Sequence, residues 1–550
     1  MSASVLMELR EYLKKVAWFI PGFLLWASFP PMAECTDILF ALAPLMVLSR
    51  GGKARDSAIA WFKSGIFFWV ATLSWMPAIV KNNGPWPLVV IGWSVLALYC
   101  AAYFAAYGYL SAKYWNWAKG KDRRFLFARR LFGCLIVEPV LWCGLELVRS
   151  RLFGGFAWNQ LGVVAANSSF ASPAALGGVY LLSAVIILIN GSIAGIAERF
   201  IAAVKAKMRK PYDECAMGKY LSFETMAAFL LVFAIYHSAE IAKPVRAHDA
   251  ISVAMVQRNF PCCFKGGDKN PYEIYSNLFS RVSYFSPDIV VLPESAMAEF
   301  DDVDRRRAVL FASYARRLSS ASAILAGGAR IDAKGNIYNS AALYDEKGVQ
   351  VYDKVHLVPF GEFIPGDKLI PVLQKLAPVG SCTPGDPKLL YLRRDGKEDL
   401  PLGVAICFED TDSSLIRSFA AKGARFLAFI TNDSWFSYSN EAVAHSWQAV
   451  ARAVETGLPV VRTGNSGVSG IIYSSGKANW LVGDDALPLV DASGVMCSRI
   501  LLPRVLPDDG EGKLQTTVYV RVGDIPLGII FSLLILTMIM VKYRHECKRI

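Results

Sequence analysis

The stretch "LGVAICFED" (402–410) is an apolar run closed by a cysteine, an aromatic residue and two carboxylates. A run of this length, bounded by Gly on one side and acidic residues on the other, fits a buried β-strand that ends in a polar loop. Cys407 then stands at the rim of a sheet, with Glu409 and Asp410 just behind it. Similar runs lie on either side: "ISVAMVQ" (251–257), "DIVVLPE" (288–294), "AILAGGAR" (323–330) and "RFLAFITND" (425–433). Between them, 271–285, 301–318 and 440–456 carry helical apolar spacing. Strands alternating with helices predict a layered α/β domain over 243–523, and in such domains function collects where strands end.

Outside that region the texture changes. The chain has 550 residues, of which 54% are hydrophobic and only 19% charged, too apolar for one ordinary soluble domain. About 20 mostly apolar residues are needed to cross a hydrocarbon core of about 30 Å. Eight stretches are read as spans: 14–30, 35–49, 57–79, 87–111, 131–148, 176–197, 221–242 and 524–543. The expected division is a seven-helix transmembrane bundle over 1–242, a soluble domain over 243–523, and a closing transmembrane helix with a short tail over 524–550.

The net charge of +12 is concentrated in alternate membrane loops and not along a groove, so no nucleic-acid partner is expected. Arg10, Lys14 and Lys15 precede the first span, and Arg50, Lys53 and Arg55 follow the second. Seven basic residues between Lys113 and Arg130 separate the fourth and fifth, and five between Arg199 and Lys210 follow the sixth. Lys542, Arg544, Lys548 and Arg549 close the chain. The opposite loops hold little beyond Lys81, Arg149 and Arg151. By the positive-inside tendency both termini are cytoplasmic and the soluble domain lies across the membrane from them.

Three strand ends carry candidate reactive groups: Glu294 after "VVLP", Lys354 in "VYDKVHLVPFGEF" and Cys407 after "GVAI". A thiol with an ordinary pKa of about 8.5 is mostly protonated at neutral pH, so a working nucleophile needs a base or cation beside it. Glu294 is a candidate base, and Lys354 a candidate for stabilising charge on a carbonyl oxygen. A Cys–His pairing through His356 or His445 is the competing scheme. Singly, each residue also reads as an ordinary core cysteine or loop charge, and spacing alone does not bring them together.

Taken as a whole, "LPES", "YDKVHLVPFGEFIP" and "AICFED" resemble the Glu-Lys-Cys pattern of the nitrilase superfamily, with its α-β-β-α sandwich. "TNDSWF" (431–436), "HSWQAVARAVETGLPVVRTGNSGVSG" (445–470) and "ELVRSRLFGGFAWNQLG" (146–162), together with the spans, are similar to the apolipoprotein N-acyltransferase family of the bacterial inner membrane. The resemblance implies a polytopic membrane bundle of about eight helices carrying a periplasmic nitrilase-like catalytic domain. It implies acyl transfer from a glycerophospholipid, through a thioester on Cys407, to the N-terminal amine of a diacylglyceryl apolipoprotein. Membrane lipids are the implied surroundings, and no cofactor or metal is expected. Glu294, Lys354 and Cys407 become the implied catalytic residues and Glu362, Glu409 and Phe408 their supports. Trp435, Asn432, His445, Glu146, Arg149 and Trp158 are the candidate substrate-binding residues.

Two positions depart from the family pattern. Phe408 stands where Tyr is common, and the segment "CCFKGGD" (262–268) lacks a Trp often found there. Cys262, Cys263, Cys382, Cys407 and Cys497 are expected on the oxidising side, which permits a disulfide without fixing its partners. Glu138, beside Pro139 within the fifth span, is an intramembrane carboxylate and so a functional candidate, or one that reaches water. Two rival readings stay open at this level: a membrane-tethered nitrilase-type amidase, and a non-catalytic scaffold or transporter.

Overall fold

The structure is a computed structural model that describes residues 18–82, 85–119, 125–209, 218–241, 246–260, 271–297, 300–301, 306–364, 381–394, 396–436, 439–503, 505–506, 513–514 and 516–547. It divides into two compact units. One comprises Met1–Ser74, Val90–Ile241 and Asp524–Ile550, the other Trp75–Val89 and Ala242–Gly523.

The first unit is helical. Among the described residues, four helical stretches are long and apolar enough to cross a membrane: Ala54–Lys81, Trp86–Ala118, Leu126–Arg149 and Ala174–Ile201. They coincide with the third to sixth expected spans. Two shorter apolar helices, Thr225–Glu240 and Ile525–Val541, lie at the seventh and eighth. At the first two expected spans the described helices are shorter, and residues 14–17 of the first expected span lie outside the described residues. These helices, Phe19–Ala27 and Ala43–Gly51, have nine residues each, about 14 Å at 1.5 Å per residue. Pro30 and Pro31 lie in the turn after the first helix, and Asp37 begins a separate 3₁₀ turn before the second. Proline removes the donors that a continuous helix needs.

Two polar residues of this unit also read differently in place. Arg50, expected as a loop charge, is fully buried, and its guanidinium meets Glu138 at 2.5 Å. Trp115 Nε1 donates to the same carboxylate at 2.8 Å, and the Arg50 guanidinium lies 4.7 Å from the Trp115 ring centroid. Glu138 is therefore satisfied inside the protein and does not reach water. Removing either partner alone would leave a buried charge uncompensated, the costly case for such pairs.

The second unit is an α-β-β-α sandwich. The strands of its two large sheets are β1 (Arg246–Gln257), β2 (Ile289–Val291), β3 (Phe300–Asp301), β4 (Ala323–Ile331), β5 (Ile337–Asp345), β6 (Gly348–Asp353), β7 (Leu390–Leu392), β8 (Leu400–Ile406), β9 (Phe426–Asn432), β10 (Val460–Asn465), β11 (Gly470–Ile472), β12 (Ala478–Trp480) and β13 (Gly494–Pro503). One sheet runs β13-β1-β2-β4-β5-β6 with β3 beside β4, and the other runs β12-β11-β10-β9-β8-β7. β1, β2 and β4 are mutually parallel, as are β8, β9 and β10. The alternation of strand side chains sorts them by face. Ile251, Val253 and Met255 of β1 join Leu402, Val404 and Ile406 of β8 in one core. Ala254 and Val256 face a second core built with helices Pro271–Val282 and Arg306–Ser319. Helices Ser413–Ala421 and Glu441–Thr456 contribute Phe419 and Val450 to the first core.

The segment Trp75–Val89 packs with this unit although the sequence division assigned it to the bundle. Trp75 sets its ring against Phe436, with centroids 4.7 Å apart at 75°.

Gly403 in β8 marks how tightly the second sheet is covered. A Cβ there would lie 2.7 Å from Phe419 Cβ and 2.9 Å from Leu427 Cδ2. Gly403→Val is expected to cost about 1–3 kcal/mol through overpacking. The check is the thermal midpoint of the detergent-solubilised full chain, and an unchanged midpoint would contradict this packing.

Candidate active site

Four strands of the second unit end at one place. Glu294 follows β2, Lys354 follows β6, Cys407 follows β8, and Asn432 is the last residue of β9. β5 adds Asn339. Lys354 is 1% exposed, and its ammonium lies 2.8 Å from Glu362 Oε1 and 4.0 Å from Glu294 Oε1. Asn339 Nδ2 donates to both of those oxygens at 2.7 Å. The remaining oxygen of Glu294 accepts from the Asn432 backbone N–H at 2.9 Å, and that of Glu362 from the Val358 N–H at 2.7 Å. One buried cation is thus shared unequally by two carboxylates held in place by amides.

Electrostatics follow from that sharing. Burial acts to lower the Lys354 pKa, but Glu362 and Glu294 outweigh it, so the ammonium is held charged well above its ordinary range. Burial raises the Glu294 carboxyl above the usual carboxylate range. Lys354 pulls it back, Glu362 adds to the rise, and the Asn339 and Asn432 hydrogen bonds oppose it. Burial and the nearby Glu294 charge push the Cys407 thiol well up, and Lys354 opposes them.

Cys407 begins a short 3₁₀ turn, Cys407–Thr411, and has φ +54°. Such left-handed backbone in a non-glycine residue is costly and concentrates at functional sites. Glu409, fully buried, fixes the turn. Its Oε1 accepts from Tyr352 Oη at 2.9 Å and from the Val355 and His356 N–H groups at 2.7 and 3.1 Å; its Oε2 accepts from the Ile406 N–H at 2.8 Å. The carboxylate therefore ties the strand end bearing Cys407 to the loop bearing Lys354. Gly327 is required beside it all: a Cβ there would fall 2.7 Å from Glu294 Cα.

The other expected residues divide. Phe408 is half-buried in the same turn, and its carbonyl accepts from Thr411 Oγ1. Trp435 is half-buried in the turn Asp433–Phe436 after β9. The Asn432 side chain is committed elsewhere: its Oδ1 accepts from Ser434 Oγ at 2.6 Å and Asn465 Nδ2 at 2.7 Å, so its contribution to the site is its backbone N–H. His445, expected as a substrate-binding residue, is fully buried between Asp410 and Asp433. His356 pairs with Asp412 at 2.7 Å. Glu146, Arg149 and Trp158 belong to the helical unit. There, Glu146 Oε1 accepts from the Leu161 N–H at 3.0 Å, and Arg149 Nη1 donates to the Trp158 carbonyl at 2.8 Å. Segment 262–268 lies outside the described residues. Cys382 and Cys497 are free thiols, while Cys262 and Cys263 are also outside the described residues. Asn339 and Arg462 went unread in the sequence, and Asp410 was read there only as a carboxylate behind Cys407. An Asn inside the strand "IYNSAALYD" was the one available signal for the first, being an amide in a segment otherwise suited to burial.

A family profile described as the apolipoprotein N-acyltransferase N-terminal domain matches residues 21–192, and one described as carbon-nitrogen hydrolase matches residues 276–480. An apolipoprotein N-acyltransferase of Geobacter metallireducens is 31% identical over 478 residues, covering 85% of this chain and 86% of the relative. One from Shewanella oneidensis is 24% identical over 546 residues, 95% of each. A solved carbon-nitrogen hydrolase from Helicobacter pylori aligns with 46% of this chain and 89% of its own at 18% identity and a TM-score of 0.34. On the extent and level of the first of these matches, the chain belongs to the apolipoprotein N-acyltransferase family, transferases of the carbon-nitrogen hydrolase superfamily.

Proposed function

We propose that Cys407, Glu294 and Lys354 carry out a two-step acyl transfer between lipids. Glu294 accepts the Cys407 proton as the sulfur attacks an ester carbonyl of a glycerophospholipid. The tetrahedral oxyanion forms beside the Lys354 ammonium, and the lysophospholipid leaves as an alcohol with the proton returned by Glu294. The acyl group then rests as a thioester. In the second step the free α-amine of a diacylglyceryl-cysteine attacks that thioester, loses a proton to Glu294, and the sulfur departs as thiol. Bonds balance without ATP, because the ester supplies the acyl group. The observation that carries the reading is the shared hydrogen-bonded cluster of Glu294, Asn339, Glu362 and Lys354 at the strand ends beside Cys407.

Each carboxylate has a separate task in this reading. Glu362, at the short distance from Lys354, holds the ammonium in place; Glu294, at the long one, keeps the basicity that proton transfer needs. Glu409 and the Phe408 turn position the sulfur. Trp435 is proposed to contact the acyl chains, and Glu146, Arg149 and Trp158 the lipid-facing parts of the substrates. The protein is placed in the bacterial inner membrane with its catalytic unit (243–523) periplasmic and both termini cytoplasmic. The seven-helix bundle over 1–242 and the closing helix at 524–550 supply eight spans, on the loop-charge asymmetry.

Intact-protein mass spectrometry after incubation with a defined phospholipid tests the first step. Wild type is expected to gain one hydroxylamine-labile acyl chain and Cys407→Ala none, and a diacylated lipopeptide should discharge the adduct as an amide. Discharge to water alone, with the lipopeptide left unmodified, would favour the amidase reading.

The pH dependence tests the base. Glu294 must be ionised to accept a proton, so activity falls as pH drops through its raised pKa. Asn339→Leu removes a hydrogen bond that favours the charged form, so the acid limb of kcat should move to higher pH. A limb that stays put, or moves down, would remove Glu294 from this role.

A further inference from the structure

Behind the reacting groups lies a second cluster of charges that the proposed reaction does not use. Asp410 sits in the turn headed by Cys407, three residues on, and Asp433 follows β9 directly after Asn432. His445, on the helix Glu441–Thr456, stands between them. Its Nε2 is 3.1 Å from Asp410 Oδ1 and its Nδ1 2.8 Å from Asp433 Oδ1. Arg462 of β10 bridges the same two carboxylates, with Nη1 2.6 Å from Asp410 Oδ2 and Nη2 3.2 Å from Asp433 Oδ2. All four side chains are at most 1% exposed.

Both ring nitrogens face carboxylate oxygens, so only the doubly protonated imidazole donates to both. Burial acts to lower the His445 pKa, but Asp410 and Asp433 more than offset this and the opposing Arg462, whose Nη2 lies 3.0 Å from Nδ1. The ring's pKa is pushed up to about 9. Two cations then balance two anions in a fully buried site, the pairing under which buried ions are tolerated. Thr431 Oγ1 donates to Asp433 Oδ1 at 2.7 Å, and the Phe436 ring stands edge-on to the imidazole at 5.7 Å. At the other end, Arg452 Nη1 donates to the Thr411 carbonyl at 3.0 Å, closing the turn that starts at Cys407.

We infer that His445 is a positioning residue: as an imidazolium it clamps the Cys407 turn, through Asp410, to the end of β9, through Asp433, where the Asn432 N–H holds Glu294. The clamp sets the distance between nucleophile and base. It acts on the rate of proton transfer and attack, and not on lipid binding, because none of its four members reaches the surface. Misplacing reacting groups by about 1 Å can cost about 100-fold in rate, so a modest slackening is visible in kcat alone.

The inference rests on the acyl-transfer reading of Cys407, and its test separates the two. Full-length protein in detergent micelles is mixed with a glycerophospholipid carrying a fluorescent headgroup. The rate of acyl-adduct formation per competent site is followed by quenched-flow and intact mass, with competent sites counted from the final adduct. His445→Gln keeps one N–H but opposes its amide oxygen to the second carboxylate. It should slow acylation at saturating donor about 10-fold, with half-saturation within about twofold of wild type and the final adduct undiminished. Asp410→Asn added to His445→Gln supplies an N–H to that oxygen and restores charge balance, and should regain about threefold of the loss.

Thr431→Val, nearly isosteric, loosens the Asp433 end without touching the ring and should slow acylation about threefold with the same split. It decides the matter if His445→Gln does not accumulate as folded protein. An unchanged rate per site in these variants overturns the inference, as does a loss found wholly in the number of competent sites. If wild type forms no adduct, the acyl-transfer reading falls instead. The same variants are then compared by the rate at which iodoacetamide alkylates Cys407, where equal rates overturn the clamp.

Discussion

An ammonium with 1% of its side chain exposed is the constraint from which the site follows. Removing such a charge from water costs several kcal/mol unless anions and hydrogen bonds replace the solvent. Lys354 therefore needs carboxylates, and it has two, at 2.8 and 4.0 Å. Two carboxylates close to one cation also repel each other, and Asn339 resolves that by offering one amide nitrogen to both. Glu362 spends its second oxygen closing its own loop on the Val358 N–H, and Glu294 spends its second on the Asn432 N–H of the other sheet. The inequality of the two Lys354 distances is thus built into the backbone.

The second dependence is between sheets. Glu294, Asn339 and Lys354 come from strands of the first sheet or the residues that follow them, Cys407 and Asn432 from the second. Nothing local keeps them in register. Register is kept by the core that β1 residues such as Val253 share with β8 residues such as Val404, and by polar ties across the gap, of which two lie at the site. One is Glu409, which joins the Cys407 turn to Tyr352, Val355 and His356; the other is the Glu294–Asn432 bond. A fully buried carboxylate such as Glu409 is justified only when its oxygens are fully used, and here four donors meet two oxygens.

What the sequence made legible was periodic or punctuated. "LGVAIC" and "RFLAFITND" read as buried strands because β-branched and aromatic residues run unbroken to a polar stop, and β8 and β9 occupy those runs. The helix at 440–456 was readable from its spacing and exists as Glu441–Thr456. At the first two expected spans the shortness of the described helices was not legible, because apolar composition carries no record of where Pro30, Pro31 and Asp37 interrupt a helix. Arg50 misled because a loop count of basic residues cannot see a carboxylate 88 positions away. In the site, residues at strand ends were visible, whereas Asn339, Asp410 and Arg462 lie in or beside runs that read as core. Their role comes from partners distant in sequence. The burial of His445 was invisible for the same reason: a polar residue inside an amphipathic helix does not declare which side chain faces it.

The charge balance of the cluster bears on how the proposed nucleophile would be activated. With Cys407 as a thiol, Lys354, Glu362 and Glu294 together carry one net negative charge. A thiolate formed in advance, with its proton lost to solvent, would raise that to two in a buried place, which is the direction burial and Glu294 both oppose in the raised thiol pKa. Passing the proton to Glu294 leaves the total at one, so the least costly route keeps the proton within the cluster. Glu294 is suited to receive it, because burial and Glu362 already lift its affinity for a proton above that of an ordinary carboxyl. On this account sulfur attack and proton transfer belong to one event, and the resting thiol is protected from oxidation and stray acylation until an ester carbonyl is in reach. Lys354, held charged throughout beside Glu362 and Glu294, then meets additional negative charge as it develops on the carbonyl oxygen, and stabilises it there.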